Sequence, residues 1–254
     1  MKNSTRRFGV LFPPGNVAME RELHPRLPHG VSMHCNRMSR PNSSLSEESL
    51  LAMSQSVERA ARDLAQTYPE VIVYGCTSGS FISGAENDTE IADNIEKLTG
   101  IPAVTTSTAV RQALHAVGAT RVFMVTPYPD DLNRQEADFL LHHGVKVAGW
   151  DSFRCRSSEE IREVDSSRVA DMVFAHRTDI DACDGIFISC TALFTVDQIE
   201  RIEETLNRPV VTSNQACLWA ALHRMKVDSR GLKAGRLLED FGYSGDTSPV
   251  ARAN

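Results

Sequence analysis

The sequence predicts an α/β protein made of two pseudo-symmetric lobes, each a mostly parallel four-stranded sheet flanked by helices, with the site in the cleft between them. Three observations carry this. Short apolar runs alternate with longer segments of helical period, the pattern of βα units around a parallel sheet. The stretch 71–80, Val-Ile-Val-Tyr-Gly-Cys-Thr-Ser-Gly-Ser, runs an apolar strand into Cys76, and 184–193 repeats strand, Cys190 and Thr191 at a spacing of 114 residues. Other loop positions recur in register: Pro13 with Pro127 and Asn16 with Asp130 at the same spacing, then Pro102 with Pro209 and Thr105-Thr106-Ser107 with Thr212-Ser213-Asn214 at a spacing of 107.

In chain order, strands are expected at 8–12, 31–35, 71–74 and 101–104 in the first half, and at 121–126, 145–150, 186–189 and 209–211 in the second. Asn42-Ser43-Ser44 supplies caps for one long helix over 45–64. Further helices are expected at 86–98, 107–117, 131–143, 169–175, 196–206 and 214–225, and 151–166 reads as a polar loop. The lobes are therefore placed at 1–117 and 118–224, with 225–254 wrapping back to complete the first.

Composition narrows the function. The 254 residues are 41% hydrophobic and 24% charged, which suits a globular chain, and no apolar run is long enough to span a bilayer. The apolar run after the basic N-terminus meets prolines too soon for a signal peptide, so a cytoplasmic protein is expected. A formal net charge of −6 gives no reason to expect nucleic acid as a partner. The six cysteines form no Cys-x-x-Cys pair, and 75–79 lacks both the dinucleotide fingerprint and the lysine of a phosphate loop. Free thiols and no cofactor are the expectation.

Ligands of open α/β sheets bind at the carboxyl ends of the strands. If two such edges face each other, Cys76 and Cys190 approach one small ligand from opposite sides. A thiol pair across a plane suits proton transfer at carbon, or addition to an activated double bond by one thiol and protonation by the other. Substrate carboxylates would supply the activation. The amides after Cys76 (Thr77, Ser78, Gly79) and after Cys190 (Thr191, Ala192) are candidate anion-binding groups, and Asn16, Tyr128, Thr106, Ser107, Ser213 and Asn214 are candidate neutral donors. Cys76, flanked by small polar residues, is expected to be closer to thiolate than Cys190, which apolar bulk at Leu193 and Phe194 adjoins. Cys35, Cys155, Cys183 and Cys217 have no repeat partner and read as packing residues.

The two strand-Cys-Thr motifs, the turn ending in Asn16, the Pro127-Tyr128 turn and the segment Pro209-Val210-Val211-Thr212-Ser213-Asn214-Gln215-Ala216 resemble the aspartate/glutamate racemase superfamily. More narrowly, the chain is similar to its maleate cis-trans isomerase and arylmalonate decarboxylase branch, from about residue 8 to 227. The resemblance implies cofactor-independent chemistry on a small dicarboxylate, most simply maleate to fumarate. It implies a nucleophilic Cys76, a proton-donating Cys190, and carboxylate contacts from Asn16 and Tyr128. Arylmalonate decarboxylases keep the second cysteine and carry glycine at the first, so Cys76 speaks against that activity, although 77–81, Thr-Ser-Gly-Ser-Phe, resembles the decarboxylase loop. Amino-acid racemases commonly show Cys-Asn-Thr where this chain has Cys76-Thr77-Ser78. A decarboxylase, a racemase and a non-catalytic carboxylate sensor are the alternatives, and a homo-oligomer is expected.

Overall fold

The structure, a computed structural model, describes residues 5–85 and 89–243. Its eight strands are β1 (Arg6–Phe12), β2 (Val31–Arg37), β3 (Ile72–Tyr74), β4 (Ala103–Thr105), β5 (Arg121–Thr126), β6 (Lys146–Ser152), β7 (Gly185–Ile188) and β8 (Val210–Thr212). They form two four-stranded sheets in the orders β2-β1-β3-β4 and β6-β5-β7-β8, and every pairing is parallel. The second sheet repeats the first strand for strand. The central strands are buried along nearly their whole length, as expected of parallel sheets covered by helices on both faces.

The lobes meet through the helices that leave their last strands. Helices Thr106–Ala116 and Ser213–Met225 start directly after β4 and β8 and pack on each other. Both are capped alike: Thr105 accepts a hydrogen bond from the Thr108 amide, and Thr212 from that of Gln215. Capping satisfies first-turn donors that would otherwise be buried without partners. The second helix is buried over most of its length, so it is an internal spine of the molecule.

Three expectations need correction. The single helix over 45–64 is two, Glu47–Ser54 and Val57–Ala65. Ser56 turns its hydroxyl on the backbone of Ser39, accepting from its amide at 2.8 Å, a competition with helical bonding typical of serine. The region 151–166 is not a loop throughout: β6 runs to Ser152, and a short helix spans Ser158–Arg162. Its signal is the Ser-x-x-Glu box, in which Ser157 accepts from the Glu160 amide while Glu160 accepts from that of Arg156. The helix placed at 86–98 is Glu90–Thr99, and 86–88 lie outside the described residues.

The described part of the C-terminal segment docks on the second lobe instead of completing the first. Gln215 donates to the Ala234 carbonyl, the Arg236 amide to Glu203, and the Trp219 indole to the Phe241 carbonyl. Leu237 and Leu238 are fully buried there. Among the described residues no helix is long and apolar enough to cross a membrane.

Candidate active site

The carboxyl ends of β1, β3, β5 and β7 converge on one pocket lined by Pro13, Asn16, Cys76, Thr77, Ser78, Tyr128, Cys190, Thr191 and Ala192, with Arg40, Leu45, Ser158 and Ile161 above them. Eight of the candidates singled out from the sequence, Cys76, Cys190, Asn16, Thr77, Ser78, Tyr128, Thr191 and Ala192, are therefore brought together. Thr106, Ser107, Ser213 and Asn214 are not among them. Thr106 donates to the Tyr74 carbonyl, the Ser107 amide to Ser80, and Asn214 to Glu22 and the Leu193 carbonyl. They are scaffold.

Two threonines stitch the lobes beneath the pocket. Thr191 donates to the Gly75 carbonyl at 3.1 Å, and Thr77 donates to the Ser213 hydroxyl at 3.0 Å. Ser213 in turn accepts from the Cys190 amide. Asn16 donates through Nδ2 to Thr191 at 3.0 Å, while its side-chain Oδ1 accepts from the Met19 amide. Arg37 donates to the Asn16 carbonyl and pairs with Glu20, which fixes the turn from outside. Tyr128 is held through its backbone, whose carbonyl accepts from Asn133 and Ser152.

The two cysteines are set differently. Cys76 is the extended residue capping the short helix Thr77–Phe81. The Gly79 amide hydrogen-bonds its sulfur, and the Ser78 hydroxyl lies 3.9 Å away. A Cβ at Gly79 would sit 2.6 Å from the Tyr74 hydroxyl and 3.1 Å from the Cys76 sulfur, so only glycine permits this approach. Cys190 has φ +98°, a conformation that side chains rarely adopt and that costs on the order of 1–3 kcal/mol. Its sulfur accepts from the Ala192 amide at 3.4 Å and is hydrogen-bonded by the Tyr128 hydroxyl.

Burial raises the pKa of both thiols, against the expectation that helix-end amides would dominate at Cys76. At Cys76 the Gly79 amide, the Arg40 charge and Ser78 work against that rise. Cys190 is pushed up to about 12 by burial, with Tyr128 and Ala192 opposing, and with negative charge at Cys76 and Glu136 raising it further. Arg40 thus acts more strongly on Cys76 than on Cys190, while the Glu136 carboxyl acts on Cys190. Glu136 is itself pushed up to about 8 by burial, with Ser189 donating to it at 2.6 Å.

Sequence reasoning missed the roof. Segments 38–46 and 153–164, one from each lobe, join above the pocket through an antiparallel bridge between Ser44 and Ser157. The Leu45 amide donates to the Arg156 carbonyl, the Ser158 amide to that of Ser43, and Arg162 to that of Gly15. The free volume under this roof is about 30 Å³. Larger hollows of about 460 Å³ lie elsewhere, but neither is lined by a cysteine. Glu20, His24 and Cys35 place ligand atoms within 4.8 Å of one another, yet Glu20 is paired with Arg37 and none of the three lines the thiol pocket.

Similarity to known proteins extends over nearly the whole chain. The arylmalonate decarboxylase family model matches residues 9–238. An arylmalonate decarboxylase from Bordetella bronchiseptica is 31% identical over 247 residues, covering 93% of this chain and 98% of that protein. A maleate isomerase from Nocardia farcinica is 28% identical, covering 92% and 95%. In structure, a cysteine-to-alanine variant of the maleate isomerase of Pseudomonas putida S16 with maleate superposes with a TM-score of 0.86 at 24% identity, covering 92% of this chain and 97% of that one. A Nocardia farcinica maleate cis-trans isomerase mutant with a covalently bound succinylcysteine intermediate superposes equally well, with a TM-score of 0.86 at 24% identity, covering 92% and 98%.

Proposed function

The chain belongs to the arylmalonate decarboxylase family, whose relatives here are enzymes, and from that premise we propose that it is an isomerase of a small dicarboxylate, converting maleate to fumarate through a Cys76 adduct. The observation that carries the reading is the pair of thiols opening on one pocket from opposite lobes, with the positive charge of Arg40 near Cys76 and the Tyr128 hydroxyl on Cys190.

The Cys76 sulfur, as thiolate, adds to one alkene carbon. The alkene electron pair moves to the adjacent carbon and takes the proton of Cys190, leaving a succinyl thioether. The former double bond is now single and rotates. Cys190 then recovers the proton, the carbon–sulfur bond breaks, and the trans alkene leaves. The amides of Thr191 and Ala192, the hydroxyl of Ser78, and Asn16 surround the carboxylates, whose negative charge grows as the carbanion forms. No cofactor enters these steps. The succinylcysteine held by the Nocardia farcinica enzyme is the adduct this scheme requires.

A second reading, decarboxylation of a substituted malonate, is favoured by Leu45 and Ile161, an apolar wall beside the thiols suited to an apolar substituent. It needs a single proton-delivering thiol. Proton NMR of maleate and of substituted malonates in deuterated buffer separates the two. Fumarate formation that disappears in Cys76→Ser supports isomerisation. Malonate decarboxylation that survives Cys76→Ser, with maleate untouched, refutes it.

A further inference from the structure

Above the thiols, Arg40 is a half-buried cation with no ion pair among the described residues. The neighbouring arginines differ: Arg37 pairs with Glu20, Arg154 with Asp130 and Asp151, and Arg162 with Glu159. Glu159 acts on Arg40 across the outer hollow but is not within ion-pair distance, and a guanidinium partly out of water is held more favourably when an anion meets it directly. Arg40 is nevertheless held in place. Its Nε donates to the Ser49 hydroxyl at 3.0 Å and its Nη2 to the Ser44 carbonyl, while Nη1 has no protein partner among the described residues.

Its position has a second aspect. Arg40 and Ser158 line the thiol pocket and also an outer hollow of about 280 Å³ walled by Pro14, Gly15, Asn42, Ser43 and Glu159. Arg40 therefore stands between the outer hollow and the thiols. From this geometry we propose that Arg40 is a specificity-determining residue that binds the second, distal carboxylate of the substrate, so that the site selects dianions over monoanions of the same shape. The proposal rests on the dicarboxylate reading above and sharpens it. The backbone amides and hydroxyls at the floor take the carboxylate beside the reacting carbons, and Arg40 takes the other with its free Nη1.

The rival explanation is that Arg40 merely braces the roof through Ser44 and Ser49. The two differ in what they do to a ratio. Succinate and succinamate are unreactive toward addition and match in shape, but the second lacks one charge. Titration calorimetry on the full-length protein should show succinate bound about 10- to 100-fold more tightly, the range for a charge-assisted hydrogen bond. Arg40→Gln should bring the two within about 3-fold, and Arg40→Lys should restore part of the preference, since an ammonium keeps the charge without the planar fork. Equal weakening of both ligands in Arg40→Gln means a brace and overturns the proposal. A wild-type protein that does not prefer succinate also overturns it. If maleate is not isomerised but the ratio responds as described, the isomerase reading fails and the role of Arg40 stands. Turnover of maleate with a ratio that Arg40→Gln leaves unchanged keeps the isomerase reading and removes the role of Arg40.

Discussion

The Cys76 and Cys190 loops are copies of one design, a strand ending in Cys-Thr with a buried thiol, and they have come to differ in backbone conformation and in the charged and hydroxyl groups around the sulfur. Cys76 sits in relaxed extended backbone at a helix start, approached by the Gly79 amide and the charge of Arg40. Cys190 sits at φ +98°, clamped by Tyr128 and backed by Glu136. Two buried glutamates, Glu22 and Glu136, 114 residues apart, diverge in the same way. Glu22 crosses to the other lobe and accepts from the amides of Thr195 and Val196 and from Asn214, whereas Glu136 stays in its own lobe with Ser189 as donor and one carboxylate oxygen unpartnered. Symmetry opens two thiols on one pocket. Local departures from symmetry oppose the rise in pKa at Cys76 and keep Cys190 protonated.

Breaking the pair should have the largest effect. Cys76→Ser should lower maleate turnover by at least about 10⁴-fold. Cys190→Ser should lower it by about 10²- to 10⁴-fold, the range for a lost general acid. The sharper measurement is intact mass after incubation with maleate: a succinyl adduct on Cys76 is expected in the Cys190 variant, and its absence from both variants would remove covalent catalysis. Tyr128→Phe deletes the hydroxyl on the Cys190 sulfur and should cost about 10- to 100-fold in kcat, with little change in labelling of Cys76. Gly79→Ala introduces a methyl where the Tyr74 hydroxyl and Cys76 sulfur already crowd. About 1–3 kcal/mol of stability and roughly tenfold of activity should be lost, read by denaturant melts and initial rates.

Limiting iodoacetamide tests the inequality directly. Because burial raises both pKa values, alkylation should accelerate roughly tenfold per pH unit through neutral pH, with Cys76 ahead of Cys190, whose pKa is about 12. A rate already flat at pH 7 would mean a preformed thiolate. The smallest effect concerns Glu136, protonated in the fold below about pH 8 and ionised in the unfolded chain above about pH 4.3. The folded state then binds the extra proton, so this group's contribution is complete below the unfolded pKa and declines as pH rises toward 8. Glu136→Gln should accordingly melt a few degrees higher than wild type at pH 8 and show no such gain at pH 4. An equal shift at both pH values would assign the gain to packing.

The repeat made both sheets and the loops that line the thiol pocket legible, since parallel strands announce themselves as apolar runs and place their ligand loops at fixed ends. The short helix at 158–162 carried a Ser157-x-x-Glu160 pattern at its start, and a polar composition hid it. Arg40 carried no signal: it lies in a Ser-Arg-Pro-Asn stretch that reads as ordinary surface, and its partners Ser44 and Ser49 are common residues.

By itself, then, the sequence determined the doubled α/β architecture and the residue types at the strand ends, because periodicity and repeat spacing are local properties of a chain. Only the tertiary structure decided how the copies differ. That the roof segments meet at Ser44 and Ser157, that a cation comes to stand near Cys76 and a carboxyl near Cys190, and that the tail docks on the second lobe are all settled by contacts between distant residues. A thiol's pKa follows from burial and nearby charge, which packing sets and sequence neighbours do not.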